Sequence, residues 1–211
     1  MSNSPLIPLF PLGLVLYPDE LLPLHIFEPR YRDLVADCLE HEKTFGVVLF
    51  QEGRMSQVGC TARIQEVVRR YEDGRMDIIV SGESRFRVLD VIRQRSYMQA
   101  DAEAIPDAKV PAEVGARERL ITQHIKLLEL AGRTPSPTVY QDRDFLSFFI
   151  ALNAGLSIQQ KQDMLEMPDE AGRIDFLIEH MSEFLPRVEE ADSLRRKITS
   201  NGHFPDFPLE K

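Results

Sequence analysis

From Pro5 to about Ile105 the apolar positions tend to recur at every second residue, the period of half-buried strands. Leu22, Leu24 and Ile26 alternate with Pro23, His25 and Phe27, so the first set is expected inside a sheet and the second outside it. Phe45–Gln51 is a compact apolar run of strand length. Ala62–Tyr71 and Arg75–Ser81 flank Asp73-Gly74, two residue types that tolerate positive φ, and predict a hairpin. Arg85–Ile92 alternates Phe86 and Val88 with Arg85 and Arg87, which predicts a strand with both arginines on its solvent face, and Tyr97–Ile105 can return antiparallel to it. One helix interrupts the sheet. Pro29 suits its first turn, where a missing N–H costs nothing, and Leu34, Val35, Cys38 and Leu39 give it an apolar face.

Past Pro106–Pro111 the period turns helical. Glu113–Ala131 predicts a helix stopped by Gly132. Asp142–Ala154 predicts a second, carrying Phe145, Phe148 and Phe149 at core spacing. The Ser157 to Gln160 capping box opens a third, Asp169–Phe184 makes a fourth, and Pro186 opens a fifth. The expected class is α+β: a β-rich domain over residues 1–108, a helical bundle over 109–200 and a loose tail over 201–211.

The stretch Pro8–Tyr31 has the apolar content of a leader or a membrane span, but its pattern excludes both. Met1–Ser4 carries no basic side chain, and Pro8, Pro11, Pro18 and Pro23 break the run. With 43% hydrophobic and 28% charged residues the chain is an ordinary globular one, and its net charge of -9 argues against polyanion binding. Cys38 and Cys60, with no leader, read as reduced thiols of a cytoplasmic protein.

Catalytic and cofactor motifs are missing. No Gly is followed by Lys, so there is no GxxxxGK[ST] phosphate loop. Cys38 and His41 share the spacing of one edge of a tetrahedral metal site, but no second pair completes it; Cys38 reads as a packing residue and His41 as a solvent-facing one. No cofactor, metal or catalytic residue is expected, and hydrolysis through Cys38 or Cys60 has no motif behind it.

Several segments carry a family likeness. PLFPL, VLYP and LPLHIFEPRYRDLV, then FGVVLF at Phe45–Phe50, VGCTARI at Val58–Ile64, DGRMDIIVSGESRFRVL at Asp73–Leu89 and KQDMLE at Lys161–Glu166 resemble the N-terminal substrate-binding domain of the Lon ATP-dependent proteases. The likeness covers most of the chain. It implies a PUA-like β pseudo-barrel followed by a helical subdomain, and recognition of polypeptide rather than proteolysis, since neither the ATPase nor the peptidase part of that family falls within these residues.

On that footing the expected role is a non-catalytic polypeptide-recognition or adaptor module. Its partners would be unfolded or extended polypeptide or one specific protein, with no membrane, and its apolar strips would suit a homodimer. Contact would run by strand addition to a sheet edge or by docking where barrel and helices meet. His25, Phe27, Tyr31, Phe148 and Phe149 are the candidate polypeptide-binding residues. Glu28-Pro29-Arg30-Tyr31 has a structural reading: Glu28 at the positive end of a helix, Arg30 paired with a sheet carboxylate. The alternative is an RNA-binding PUA-like module using the face that carries Arg85 and Arg87. Six acidic residues lie among the arginines from Arg63 to Arg95, which weakens that reading.

Overall fold

The computed structural model describes residues 6–141 and 143–201. The expectations for Met1–Ser4, for Asp142 and for the tail beyond Asn201 lie outside the described residues.

Strands β1 (Ile7–Leu12), β2 (Leu21–Ile26), β3 (Phe45–Gln51), β4 (Arg54–Arg70), β5 (Met76–Ile92) and β6 (Gln99–Ala104) form one sheet in the order β2-β5-β4-β3-β1-β6. β6 also pairs with the second half of β5, which closes the sheet into a pseudo-barrel. Among the pairings of these six strands, only β1 with β3 is parallel. The first half of β5 instead pairs with β2, so β2 is the end strand of the sheet. The two segments expected on either side of Ser81 are one strand, because β5 passes from one partner to the other without leaving the sheet. At the β4–β5 turn only Gly74 takes positive φ, at 84°. Tyr71 accepts from the Gly74 N–H and donates its own to the Arg75 carbonyl, so the turn is longer than a two-residue hairpin loop.

Helix α1 (Pro29–Glu40), with Pro29 in its first turn, buries Tyr31, Leu34, Val35 and Cys38. These join Ile26, Phe45, Val47, Cys60, Ala62, Ile78 and Val80 in a core of their own. A smaller cluster, Leu9, Val48, Phe86 and Ala100, lies in the closed half of the barrel. Leu22, Leu24 and Ile26 lie towards the core, while Leu21, Pro23 and His25 are exposed, as alternation predicts.

Beyond Ala104 the helices are α2 (Ala116–Leu130), α3 (Leu146–Ala151), α4 (Ile158–Glu166) and α5 (Glu170–Asn201). The Ser157–Gln160 capping box forms both of its hydrogen bonds. Two expectations are corrected. The helix expected over Asp142–Ala154 shrinks to α3, with Phe145 as its non-helical cap. The expected fourth and fifth helices are one, with Pro186 inside it. Packing overrides proline's usual break there: Leu185 is buried, Val188 packs on the helical core, and Glu189 pairs with Lys126 of α2 at 2.5 Å.

Barrel and helices share a core. Val15, Tyr17, Leu49 and Val58 cluster with Leu120, Phe148, Leu165 and Leu177. A buried ionic knot ties them further. Asp107, in the segment after β6, accepts from Arg85 of β5 at 2.5 Å and from both terminal nitrogens of Arg173 of α5. Arg85 also donates to the carbonyls of Leu165 and Met167, and Arg173 to Glu170 and Ser147.

Candidate functional site

An apolar hollow lies beside the part of the β1 edge that β6 leaves uncovered. β6 covers the β1 edge only at Ile7 and Pro8, so the rest of that edge, Phe10–Leu12, faces a gap. The opposite wall is Leu24, His25 and Phe27, at and just beyond the end of β2, with Glu28, Arg30 and Tyr31 from the start of α1. Phe50 and Met98 complete this hollow of about 250 Å³. A second hollow of about 520 Å³ continues past Arg30, Tyr31, Phe50 and Met98 to Met55, Val91, Arg93, Arg95 and Tyr97. Because four residues wall both, the two make one trough.

Each wall residue is held by local structure. His25 stands opposite Asp77 across the β2–β5 ladder and donates from Nδ1 to Asp77 Oδ1 at 2.5 Å. Tyr71 donates its hydroxyl to the other Asp77 oxygen at 2.7 Å. The His25 bond, then the Tyr71 bond, hold the Asp77 carboxyl below its ordinary range. The His25 ring stacks on Phe27, which is 58% exposed. Tyr31 lies beneath, its ring 4.0 Å from that of Phe10, under the Arg30 guanidinium, with its hydroxyl pKa raised by burial. Arg30 pairs with Glu28 at 2.7 Å, not with a sheet carboxylate as expected, because two residues along the same chain bring them together. Arg95 and the Tyr97 hydroxyl both bond the Asp37 carboxylate, and burial together with Asp37 pushes Tyr97 up to about 12.

The five expected contact residues do not come together. His25, Phe27 and Tyr31 line the trough. Phe148 is 1% exposed and stacks on Tyr17, so it is core and offers no surface to a partner. Phe149 is half-buried among His124, Tyr140 and Arg143, on the helical side. Around Phe148 the barrel–helix junction is therefore filled. The sequence pattern does not reveal Phe50, Met55, Met98 and Arg93 as trough residues, because only barrel closure brings them to the same place. The one available sign is Phe50, a large apolar residue directly before the polar Gln51 and Glu52.

Other candidates change as well. Arg85 is 3% exposed and spent in the ionic knot, so the strand face expected to carry Arg85 and Arg87 does not exist. Arg63, Arg75 and Arg87 pair with Glu83, Asp73 and Glu103. Cys38 and Cys60 are free and buried. Burial pushes the Cys38 thiol up to about 11 and Cys60 further still, the opposite of what a nucleophile needs. His41 groups with Asp37 and Glu40 rather than with Cys38, and Asp37 is already taken by Arg95 and Tyr97. Among the described residues no helix is long and apolar enough to cross a membrane.

A pseudo-barrel with an attached helical unit and an aromatic trough beside its open edges defines an α+β domain of known lineage. The chain belongs to the family of ATP-dependent protease La (LON) substrate-binding domains, whose family model matches residues 6–183. It is 26% identical over 202 residues to Lon protease 2 of Syntrophobacter fumaroxidans, a match covering 89% of this chain and 25% of that one. Lon protease of Anaeromyxobacter dehalogenans is 28% identical over 92% of this chain and 24% of its own. The chain thus spans about a quarter of the length of the curated relatives it matches, and the match is to the substrate-binding part. Among solved structures, a Lon N-terminal domain protein from Xanthomonas campestris superposes with a TM-score of 0.62 at 26% identity, covering 82% of this chain and 97% of that one. The N-terminal domain of Lon protease from the Mycobacterium avium complex has the same fold, with a TM-score of 0.59 at 18% identity, over 84% and 98%.

Proposed function

We propose that this chain is a non-catalytic polypeptide-recognition or adaptor module, and that it holds extended, apolar segments in the trough between β1, β2 and the start of α1. One observation carries the reading: Phe27 and Phe50, 58% and 47% exposed, stand on the same hollow, which is floored by Tyr31 and Met98. Large apolar side chains left in water beside a groove mark a surface built to be covered. Methionine suits such a floor because its flexible thioether adapts to different guests. The family name, a substrate-binding domain, supports the same reading. No step of ATP hydrolysis or peptide cleavage is assigned to these residues.

The test is fluorescence anisotropy of a labelled, permanently unfolded polypeptide titrated with the protein. Saturable binding is expected. Phe27→Ser with Phe50→Ser should weaken it on the order of tenfold or more per ring, because burying the exposed part of a phenylalanine stabilises by about 1–2 kcal/mol. Circular dichroism should not change, since neither ring belongs to a core cluster. Phe149→Ser should leave binding as it was. Equal binding by the folded double variant would refute the site.

A further inference from the structure

We infer that the trough selects segments in which large apolar side chains stand next to carboxylates. This rests on the polypeptide-binding reading and adds the chemistry of the preferred client.

The trough is a local exception to the charge of the chain. The sequence carries a net charge of -9, yet the charged groups lining the two hollows are Arg30, Arg93 and Arg95 against Glu28; Asp37 behind Arg95 and Asp77 behind His25 balance those two, so Arg93 supplies the excess positive charge. Arg93 has no hydrogen-bond or ion-pair partner among the described residues and stands exposed on the rim. Arg95 commits one terminal nitrogen, Nη1, to Asp37 and Tyr97, and Arg30 commits Nε and Nη2 to Glu28. A guanidinium has five N–H donors, so each keeps capacity for an incoming carboxylate. Glu28 turns to Arg30 and does not cap α1, so the positive end of that helix adds to the same field.

The apolar floor and the basic rim are interleaved. Arg30 lies over Tyr31, and Arg95 donates to the hydroxyl of Tyr97. Met55 and Val91 lie in the same hollow as Arg93 and Arg95. A guest that puts a leucine or phenylalanine on the floor therefore brings its neighbouring residues to the arginines. Glutamate or aspartate at those neighbours gains charge-assisted hydrogen bonds; lysine meets like charge. A cationic rim on an anionic protein also concentrates such segments at the trough and away from the remaining surface.

The experiment compares three labelled unstructured peptides with the same phenylalanine and two leucines, flanked by glutamate, by glutamine or by lysine, each titrated with the whole chain. At low salt the glutamate peptide should bind about three- to tenfold tighter than the glutamine one, the range expected for a few exposed ion pairs. That advantage should shrink towards unity near 0.5 M salt, and the lysine peptide should bind most weakly. Arg93→Gln, a change at the rim, should cut the ratio of glutamate- to glutamine-peptide affinity about two- to threefold. If glutamate and glutamine peptides bind equally, the selectivity is overturned and the apolar groove stands. If no peptide binds, the groove reading fails and the selectivity with it. Displacement of the glutamate peptide by single-stranded RNA at equal charge would overturn the assignment to polypeptide.

Discussion

Asp107→Ala should destabilise this fold far more than its place in a connecting segment suggests. The Asp107 carboxylate is 18% exposed, while the Arg85 and Arg173 side chains that meet on it are 2% and 0% exposed. Burial already lowers the Arg85 pKa, and the negative charge of Asp107 is the main influence holding it up. Without Asp107 two buried guanidinium groups face each other, and among the described residues Glu170 is the carboxylate left bonded to Arg173. Removing one partner of a buried ion pair costs about 3–5 kcal/mol. The partial exposure of Asp107 and the remaining Glu170 argue for the low end, about 3 kcal/mol. With a urea m-value of about 2–3 kcal/mol/M, the unfolding midpoint should fall by about 1–1.5 M. The control is Glu83→Ala, which breaks the exposed Arg63 pair and should move the midpoint by less than about 0.3 M. Changing Asp107 and Arg173 together should cost less than the two single changes summed, because the second removes a charge that the first stranded. A midpoint for Asp107→Ala within about 0.3 M of the unchanged protein would show that the knot contributes nothing to stability.

Two further outcomes are expected. His124 is 1% exposed, and burial holds its imidazole down to about 4 against an ordinary 6.5. Because the unfolded chain takes up that proton first, stability is complete above pH 6.5 and declines as the pH falls to about 4, by about 3 kcal/mol. Urea midpoints measured from pH 4 to pH 7 should show this slope, and His124→Leu should remove it; identical slopes in both proteins would refute the assignment. Gly82→Ala would put a Cβ 2.0 Å from the Tyr17 carbonyl oxygen. The backbone of Gly82 cannot retreat, since it bonds Asp19 and Glu20 at 2.9 Å each. A loss of about 3 kcal/mol and a Tm lower by about 6–12 °C are expected in a thermal melt, and a Tm within about 2 °C would refute the clash.

The elements were legible in the sequence wherever local chemistry decides. Alternation assigned the faces of β2, Pro29 marked the start of α1, and Ser157 with Gln160 marked that of α4. What failed depended on contacts between distant residues. Arg85 alternates like a solvent-facing residue, and nothing near it shows that the Leu165 and Met167 carbonyls and Asp107 close over it. Pro186 reads as a break until α2 is in place against α5, which continues through it. Phe148 and Phe149 look alike in a helical stripe, but adjacent helix positions point about 100° apart, so one meets Tyr17 in the core while the other lies on the helical side. Of the trough, only the wall contributed by the continuous stretch His25–Tyr31 could be read in advance. The rest of it brings in Phe10, Phe50 and Met98, which no sequence period connects.

The prolines of the first strands argue against one of the expected routes of contact, strand addition. Along a strand, successive residues direct their N–H and C=O to opposite edges. Leu9 donates to the Met98 carbonyl, so Pro11, two residues on, faces the same side, where β6 no longer covers the edge and the trough begins. Just before β2, the Glu20 carbonyl accepts from the Gly82 N–H of β5. Leu22, Leu24 and Ile26 then face β5, and Pro23 turns its missing donor outward. Each open edge thus carries a proline where an added strand would need an N–H, a common way of protecting an edge from aggregation. Continuous ladder addition is blocked on both walls. On the proposed function, a guest in the trough would then be held by its side chains, on the rings of Phe27, Tyr31 and Phe50 and on the rim arginines. Contact of that kind would tolerate many sequences, its preference set by apolar bulk and charge rather than by strand register.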